Sequence, residues 1–237
     1  MIGELKTVAF DAPDINALSA FYTSLAGWEQ TYAGDDWVTL TTVDGWRIGL
    51  QLAPDHVPPQ WPDPAHPQQA HLDIRVPDLA AATQRAVELG ATLLRENERW
   101  NTLADPAGHP FDLASHPEGP HPTIFGVMLD VPDATASSAF YSELTGKPVT
   151  YEAEGMAMLG NEGEQPILFQ QVEGYVAPRW PDPAFPQQIH FDIQVDDVDE
   201  AEPKVLAIGA TRLPYEGDDW RVFADPHGKP FCLIWDN

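Results

Sequence analysis

Apolar and polar residues alternate through "HLDIRV", His71 to Val76, so that Leu72, Ile74 and Val76 share one side of an extended segment and His71, Asp73 and Arg75 the other. Such alternation predicts a half-buried strand. The run ends at Asp78, and "LAAATQRAVELG" then reads as a helix, capped at its start by the Asp and closed by Gly90 in a left-handed conformation. The same order of signals occurs in "VAFDAPD", leading to a helix that closes at Gly27, in "VMLDVPD", leading to Gly146, and in "HFDIQVDD", leading to Gly209. Short strand candidates follow: "WVTL" and "WRIGLQL" in the first quarter, "TLLRE", "WNTLA" and "PFDLA" in the second. Strand, helix and about three strands thus recur four times, an α+β pattern with helices covering one face of antiparallel or mixed sheets.

The quarters combine into two copies of one unit. "WPDPAHPQQAHLDIRV", Trp61 to Val76, returns as "WPDPAFPQQIHFDIQV", Trp180 to Val195, identical at 12 of 16 positions. "FYTSLAG" becomes "FYSELTG", and "DPAGHPFDL" becomes "DPHGKPFCL", with one residue inserted between Thr211 and Trp220. A repeat of this period sets the domain expectation at residues 1–118 and 119–237, joined through the Pro- and Gly-rich "SHPEGPHPT", Ser115 to Thr123. Pro58 to Gln69 and Ala177 to Gln188 hold too much proline for helix or central strand and read as segments crossing between the halves of each copy. Trp61 and Trp180 are then either hydrophobic anchors of these crossings or lids that stack on a ligand.

Charge narrows the partners. Against 12 Lys and Arg stand 37 Asp and Glu, a net charge of −25, which argues against nucleic acid and against an anionic membrane surface. No apolar run has the length of a membrane-spanning helix, the first residues lack a signal-peptide pattern, and a single cysteine excludes an internal disulfide. A soluble cytoplasmic protein, monomer or homodimer, is the expectation.

Strand, "PD", helix, "FYxxLxG", then "GAT" and a late "ADPxGxPF" resemble the vicinal oxygen chelate superfamily, in its tandem glyoxalase-like and bleomycin-resistance-like form, over essentially the whole chain. The resemblance implies four βαβββ modules in two tandem domains, with curved mixed sheets around clefts that the polar faces line. His71, Asp73, Arg75, His190, Asp192 and Cys232, with Trp61 and Trp180, are therefore the candidate ligand-binding residues.

Metal-using members take ligands from the first and last strands of each module. Carried over position by position, the first copy offers Thr7, Gln51, His71 and Asp112. Thr7 departs from the usual His or Gln, which leaves Gln51, His71 and Asp112 as the implied metal set, for a divalent ion such as Zn, Ni, Fe or Mn. The second copy offers Gly126, Gln170, His190 and Cys232, where His190 and Cys232 form a soft metal pair, a thiolate and base, or an inert buried thiol beside a histidine. Only His190 survives of the extradiol dioxygenase ligand pattern. Two functions follow from the resemblance. One is a metal-free small-molecule-binding protein that sequesters an aromatic metabolite or antibiotic against tryptophans such as Trp37, Trp46, Trp61, Trp100, Trp180 and Trp220. The other is a metal-dependent glyoxalase-like lyase or isomerase working at the first-copy set.

Overall fold

A computed structural model describes residues 1–63, 65–182 and 184–236. Pro64 and Pro183, within the two crossing segments, lie outside the described residues. Each quarter of the chain forms a βαβββ module. Module one comprises β1 (Glu4–Ala12), α1 (Ile15–Ala26), β2 (Glu29–Ala33), β3 (Trp37–Thr41) and β4 (Arg47–Leu52). Module two holds β5 (Ala70–Val76), α2 (Leu79–Glu88), β6 (Thr92–Glu96), β7 (Trp100–Ala104) and β8 (Pro110–Ser115). Modules three and four repeat the order with β9 (Thr123–Val131), α3 (Ala134–Thr145), β10 (Val149–Ala153), β11 (Met156–Leu159) and β12 (Ile167–Gln171), then β13 (Ile189–Gln194), α4 (Val198–Ala207), β14 (Thr211–Glu216), β15 (Trp220–Ala224) and β16 (Pro230–Ile234).

The helix starts follow the chain's own signals. The carboxylates of Asp14, Asp78, Asp133 and Asp197 accept from backbone N–H groups of the first turn, as Asp14 does from Ala17 at 2.9 Å. Gly27, at φ 72°, ends α1 in the left-handed region that a side chain would disfavour.

The strands assemble into two eight-stranded mixed sheets, in the orders β14-β15-β16-β13-β1-β4-β3-β2 and β10-β11-β12-β9-β5-β8-β7-β6. Each sheet therefore joins modules from different copies: one with four, and two with three. The Ser115–Thr123 connection is short, so the chain leaving β8 turns back at once and lays β9 antiparallel against β5, Leu72 opposite Val127. At the equivalent place β1 pairs antiparallel with β13, Val8 opposite Phe191. Register shifts at Leu5/Thr7 and Asp73/Ile74 interrupt these two central pairings, and such bulges add twist and curvature.

Side chains bind the halves of each copy in the other direction. Tyr22 on α1 donates to Asp105 in the β7–β8 turn at 2.9 Å, and Tyr141 on α3 donates to Asp225 in the β15–β16 turn at 3.0 Å. Leu72, Ile74 and Val76 face a single core with Tyr22, Trp28, Phe111, Phe169 and Phe231. Trp46, considered above for ligand stacking, is 2 % exposed and belongs to that core. No helix among the described residues is long and apolar enough to cross a membrane.

Candidate functional site

The shared "PQQxHxDI" motif builds both sheet centres. Its second glutamines tie the crossing segments to each other: the Gln69 backbone N–H donates to Gln188 Oε1 and the Gln188 backbone N–H to Gln69 Oε1, both at 2.9 Å. Their side-chain amides donate onward, Gln69 to the Pro186 carbonyl at 2.7 Å and Gln188 to that of Pro67 at 3.0 Å. The first glutamines reach inward. Gln68 Nε2 donates to Asp130 at 3.1 Å and lies 3.2 Å from His71 Nδ1, while Gln187 Nε2 donates to Asp11 at 3.1 Å and lies 3.4 Å from His190 Nδ1. Because each amide already donates to a carboxylate, its nitrogen faces the imidazole. Nδ1 is then an acceptor and the ring proton of the neutral form sits on Nε2.

The sheet of modules two and three curls around an open cleft of about 540 Å³, within the range of small-molecule sites. Its floor is polar. His71, Asp73 and Asp112 each offer a ligand atom, all within 4.8 Å of one another, and His71 Nε2 stands 3.6 Å from Asp73 Oδ1, too long for a hydrogen bond. Asp73 and Asp112 are neighbours across the parallel β5–β8 pair. Burial, aided by the Asp112 charge, raises the Asp73 carboxyl to about 6 against the pull of His71 and Arg75. Asp112 Oδ1 is buried with no hydrogen-bond partner among the described residues. Gln170 on β12 donates to Asp130 at 2.7 Å, so its amide oxygen is what remains to offer the cavity. Around these groups stand Trp61, Arg75, Arg95, Arg99, Trp100, Phe125 and Met128.

The sheet of modules one and four holds the matching cluster, His190, Asp192 and Cys232, with ligand atoms again within 4.8 Å. His190 and Asp192 are more enclosed than their counterparts, with side-chain exposures of 5 and 11 % against 11 and 18 % for His71 and Asp73. The Trp37 indole lies across Gly49, where an added Cβ would come within 2.3 Å of Trp37 Cζ2, and its ring centre is 6.3 Å from that of His190. Trp180 packs edge-on against Tyr215 at 4.7 Å. Burial would lower the His190 pKa, but Asp192 at 3.5 Å and Asp11 at 4.0 Å outweigh it and raise the imidazole above its usual value. Burial, with Asp192 beside it, holds the Cys232 thiol well above the usual range, so the thiolate considered from sequence is disfavoured.

The grouping of Gln51 changes. The sequence grouped Gln51 with His71 and Asp112, but Gln51 lies on β4 opposite Trp37 and beside Asp11, in the other sheet. The clefts draw on modules two and three or one and four, so Gln170 and Gly126 meet His71 and Asp112, while Gln51 and Thr7 meet His190 and Cys232. Trp37, considered as a stacking surface for ligand, lies half-buried over Gly49 and near His190 in the sheet of modules one and four. His71, Asp73, Arg75 and Trp61 all line the open one. Sequence reasoning missed Gln68 and Asp130, for which the repeated "QQ" was the available signal, and Arg95 and Arg99, for which there was none.

Comparisons with known proteins agree with this architecture. The glyoxalase-like domain family matches residues 7–114 and again 126–234. Glyoxalase I of Zea mays has a similar structure, with TM-score 0.69 at 17 % identity, over 98 % of this chain and 92 % of that one. The cppA protein of Streptococcus pneumoniae TIGR4 is similar with TM-score 0.54 at 10 % identity, over 97 % of each chain. At these identities the likeness is one of fold. A search of curated protein sequences gives no match.

Proposed function

Since this chain belongs to the glyoxalase-like family within the vicinal oxygen chelate superfamily, matched in both copies, we propose that it is a small-molecule-binding protein with one working cleft per chain, between modules two and three, whose floor takes a divalent cation. The observation that carries this reading is Asp112, a residue lining the cleft beside Asp73 and His71, whose Oδ1 is buried without a partner among the described residues. Asp73, whose charged form burial penalises, and the carboxylate of Asp112 beside it are better satisfied by a cation than by each other. His71, Asp73 and Asp112 would hold it, with the Gln170 amide oxygen in reach of the same floor, and one imidazole with two carboxylates suits Zn, Ni, Fe or Mn.

A cation bound there supplies Lewis-acid polarisation of a ligand oxygen, which is what glyoxalase-like lyase or isomerase chemistry needs. The chain's own residues provide the rest. Gln68 and Gln170, both donating to Asp130, fix the back wall. Trp61 and Trp100 present apolar surface that displaces water from a bound ring.

A second reading, binding without metal, is favoured by the amide nitrogen of Gln68 at His71 Nδ1, because a ring ligating through Nε2 carries its proton on Nδ1 and wants an acceptor there. Nitrogen-15 NMR of the histidines separates the two. With zinc added, the cation reading expects the His71 proton to move from Nε2 to Nδ1 as the Gln68 amide turns over. An unchanged tautomer at saturating zinc would refute it and leave the metal-free cleft.

A further inference from the structure

We propose that the open cleft selects anionic aromatic ligands, an oxyanion held at its rim by Arg95 and Arg99 and a ring lying against Trp61 and Trp100. The proposal deepens the functional reading above and rests on the same cleft being the working site. Its first support is where the positive charge lies. The chain has 12 Lys and Arg in 237 residues, and Arg75, Arg95 and Arg99 all line this one cavity. Arg75 is committed: it is paired with Glu162, and its guanidinium lies 4.3 Å from the centre of the Phe125 ring. Arg95 and Arg99 are exposed, and among the described residues neither has a side-chain hydrogen bond or an ion pair. A net charge of −25 does not cancel them, since at physiological salt the field of distant carboxylates fades over about 8 Å and nearby charges dominate.

The second support is the comparison between the chain's own halves. Matching the strand registers, Glu96 opposite Asn101 and Glu216 opposite Arg221, puts Tyr215 at the place of Arg95 and Asp219 at that of Arg99, while Gln194 stands where Arg75 does. The sheet where Trp37 lies over Gly49 and near His190 thus has none of the three arginines at these positions, and the open cleft has them all. Both halves keep the tryptophan, Trp100 and Trp220, so the arginines differ with openness while the apolar surface does not.

The floor sets the ligand's orientation. With a divalent cation on Asp73 and Asp112 the floor carries no net charge, and without one it is negative, so in neither case does it draw an anion inward; the oxyanion belongs at the rim beside Arg95 and Arg99, and an uncharged oxygen-bearing end points inward. Guanidinium groups hold carboxylate or phosphate through paired, charge-assisted hydrogen bonds, and Trp100, 42 % exposed, leaves an indole face at the opening. The ligand class is an aryl carboxylate or aryl phosphate.

The test uses three probes of one ring: naphthalene-2-carboxylate, 2-naphthyl phosphate and the neutral naphthalene-2-carboxamide, titrated by ligand-observed NMR against the full chain and against Arg95→Glu/Arg99→Asp. The expected result is that at least one acid binds at least about tenfold more tightly than the amide, and that the double variant loses this preference while keeping its affinity for the amide. Whichever acid binds tighter identifies the carboxylate or the phosphate as the natural group. Equal binding of acids and amide, no binding of any probe, or a preference that survives in the double variant would each overturn the proposal. Ion retention measured on the same samples keeps the two readings apart, because absence of a bound cation refutes the metal floor without touching the acid preference.

Discussion

At the residue scale the proposed function turns on Asp112 in one cleft and Trp37 in the other. Asp112→Asn removes one of two neighbouring half-buried carboxylates, so in the presence of chelator it is expected to raise the midpoint of thermal unfolding, by about 1 kcal/mol in stability. The same variant should lack the midpoint increase that the proposal expects of the wild type on adding zinc or manganese, because the cation would have lost a charged ligand. Trp37→Ala is expected to cost about 2 kcal/mol, less than a fully buried tryptophan because the ring is half-buried, measured by urea denaturation. Much of this was legible in the residues. The alternation of "HLDIRV" places His71, Asp73 and Arg75 on one face, and the structure puts all three in the cleft. Arg95 and Arg99 were not legible, because a polar residue near a hairpin becomes part of a rim only when the sheet curls.

Pairing between elements explains why "PQQ" recurs. Gln69 and Gln188 exchange hydrogen bonds, so Gln69→Ala leaves the Gln188 backbone N–H unpaired. Each single alanine variant should cost about 1–3 kcal/mol. The double variant should cost less than the sum, as a double-mutant cycle in urea would show, because the four bonds, though distinct, hold the same two crossing segments together. The crossing segment also brings His56 to the β7–β8 turn, where Nε2 is 3.1 Å from the Ala107 carbonyl and the ring centre 5.0 Å from that of His109. Burial, then the charge of His109, lowers its pKa to about 4. Between its usual value of 6.5 and about 4 the unfolded chain binds the proton that folded His56 refuses, so its contribution to stability is complete above pH 6.5 and lost as pH falls to 4. His56→Gln should flatten that part of the melting-temperature profile. Elements with a buried face were readable in advance, whereas β2, exposed along its whole length at a sheet edge, carries no alternation to read.

Across the whole molecule, two kinds of tie run in different directions. Helices and turns bind the halves of a copy through Tyr22–Asp105 and Tyr141–Asp225, and sheets bind one copy to the other through β1–β13 and β5–β9. A fragment of residues 1–118 would leave β1 and β5 each without a central partner. Light scattering after gel filtration should find it associated or aggregated, and a well-folded monomer would instead support independent domains. The repeat shows which residues correspond, but it is silent on which strands exchange hydrogen bonds, and that pairing moved Gln51 away from His71. The measurement that tests the central claim most directly is metal stoichiometry by elemental mass spectrometry, after incubation with Zn, Ni, Mn or Fe and exhaustive desalting, on wild type, His71→Ala and His190→Ala. Roughly one retained ion per chain is expected, lost in His71→Ala and kept in His190→Ala. An ion lost only in His190→Ala, or none retained by the wild type, would contradict the assignment of a cation-binding floor to the cleft of modules two and three.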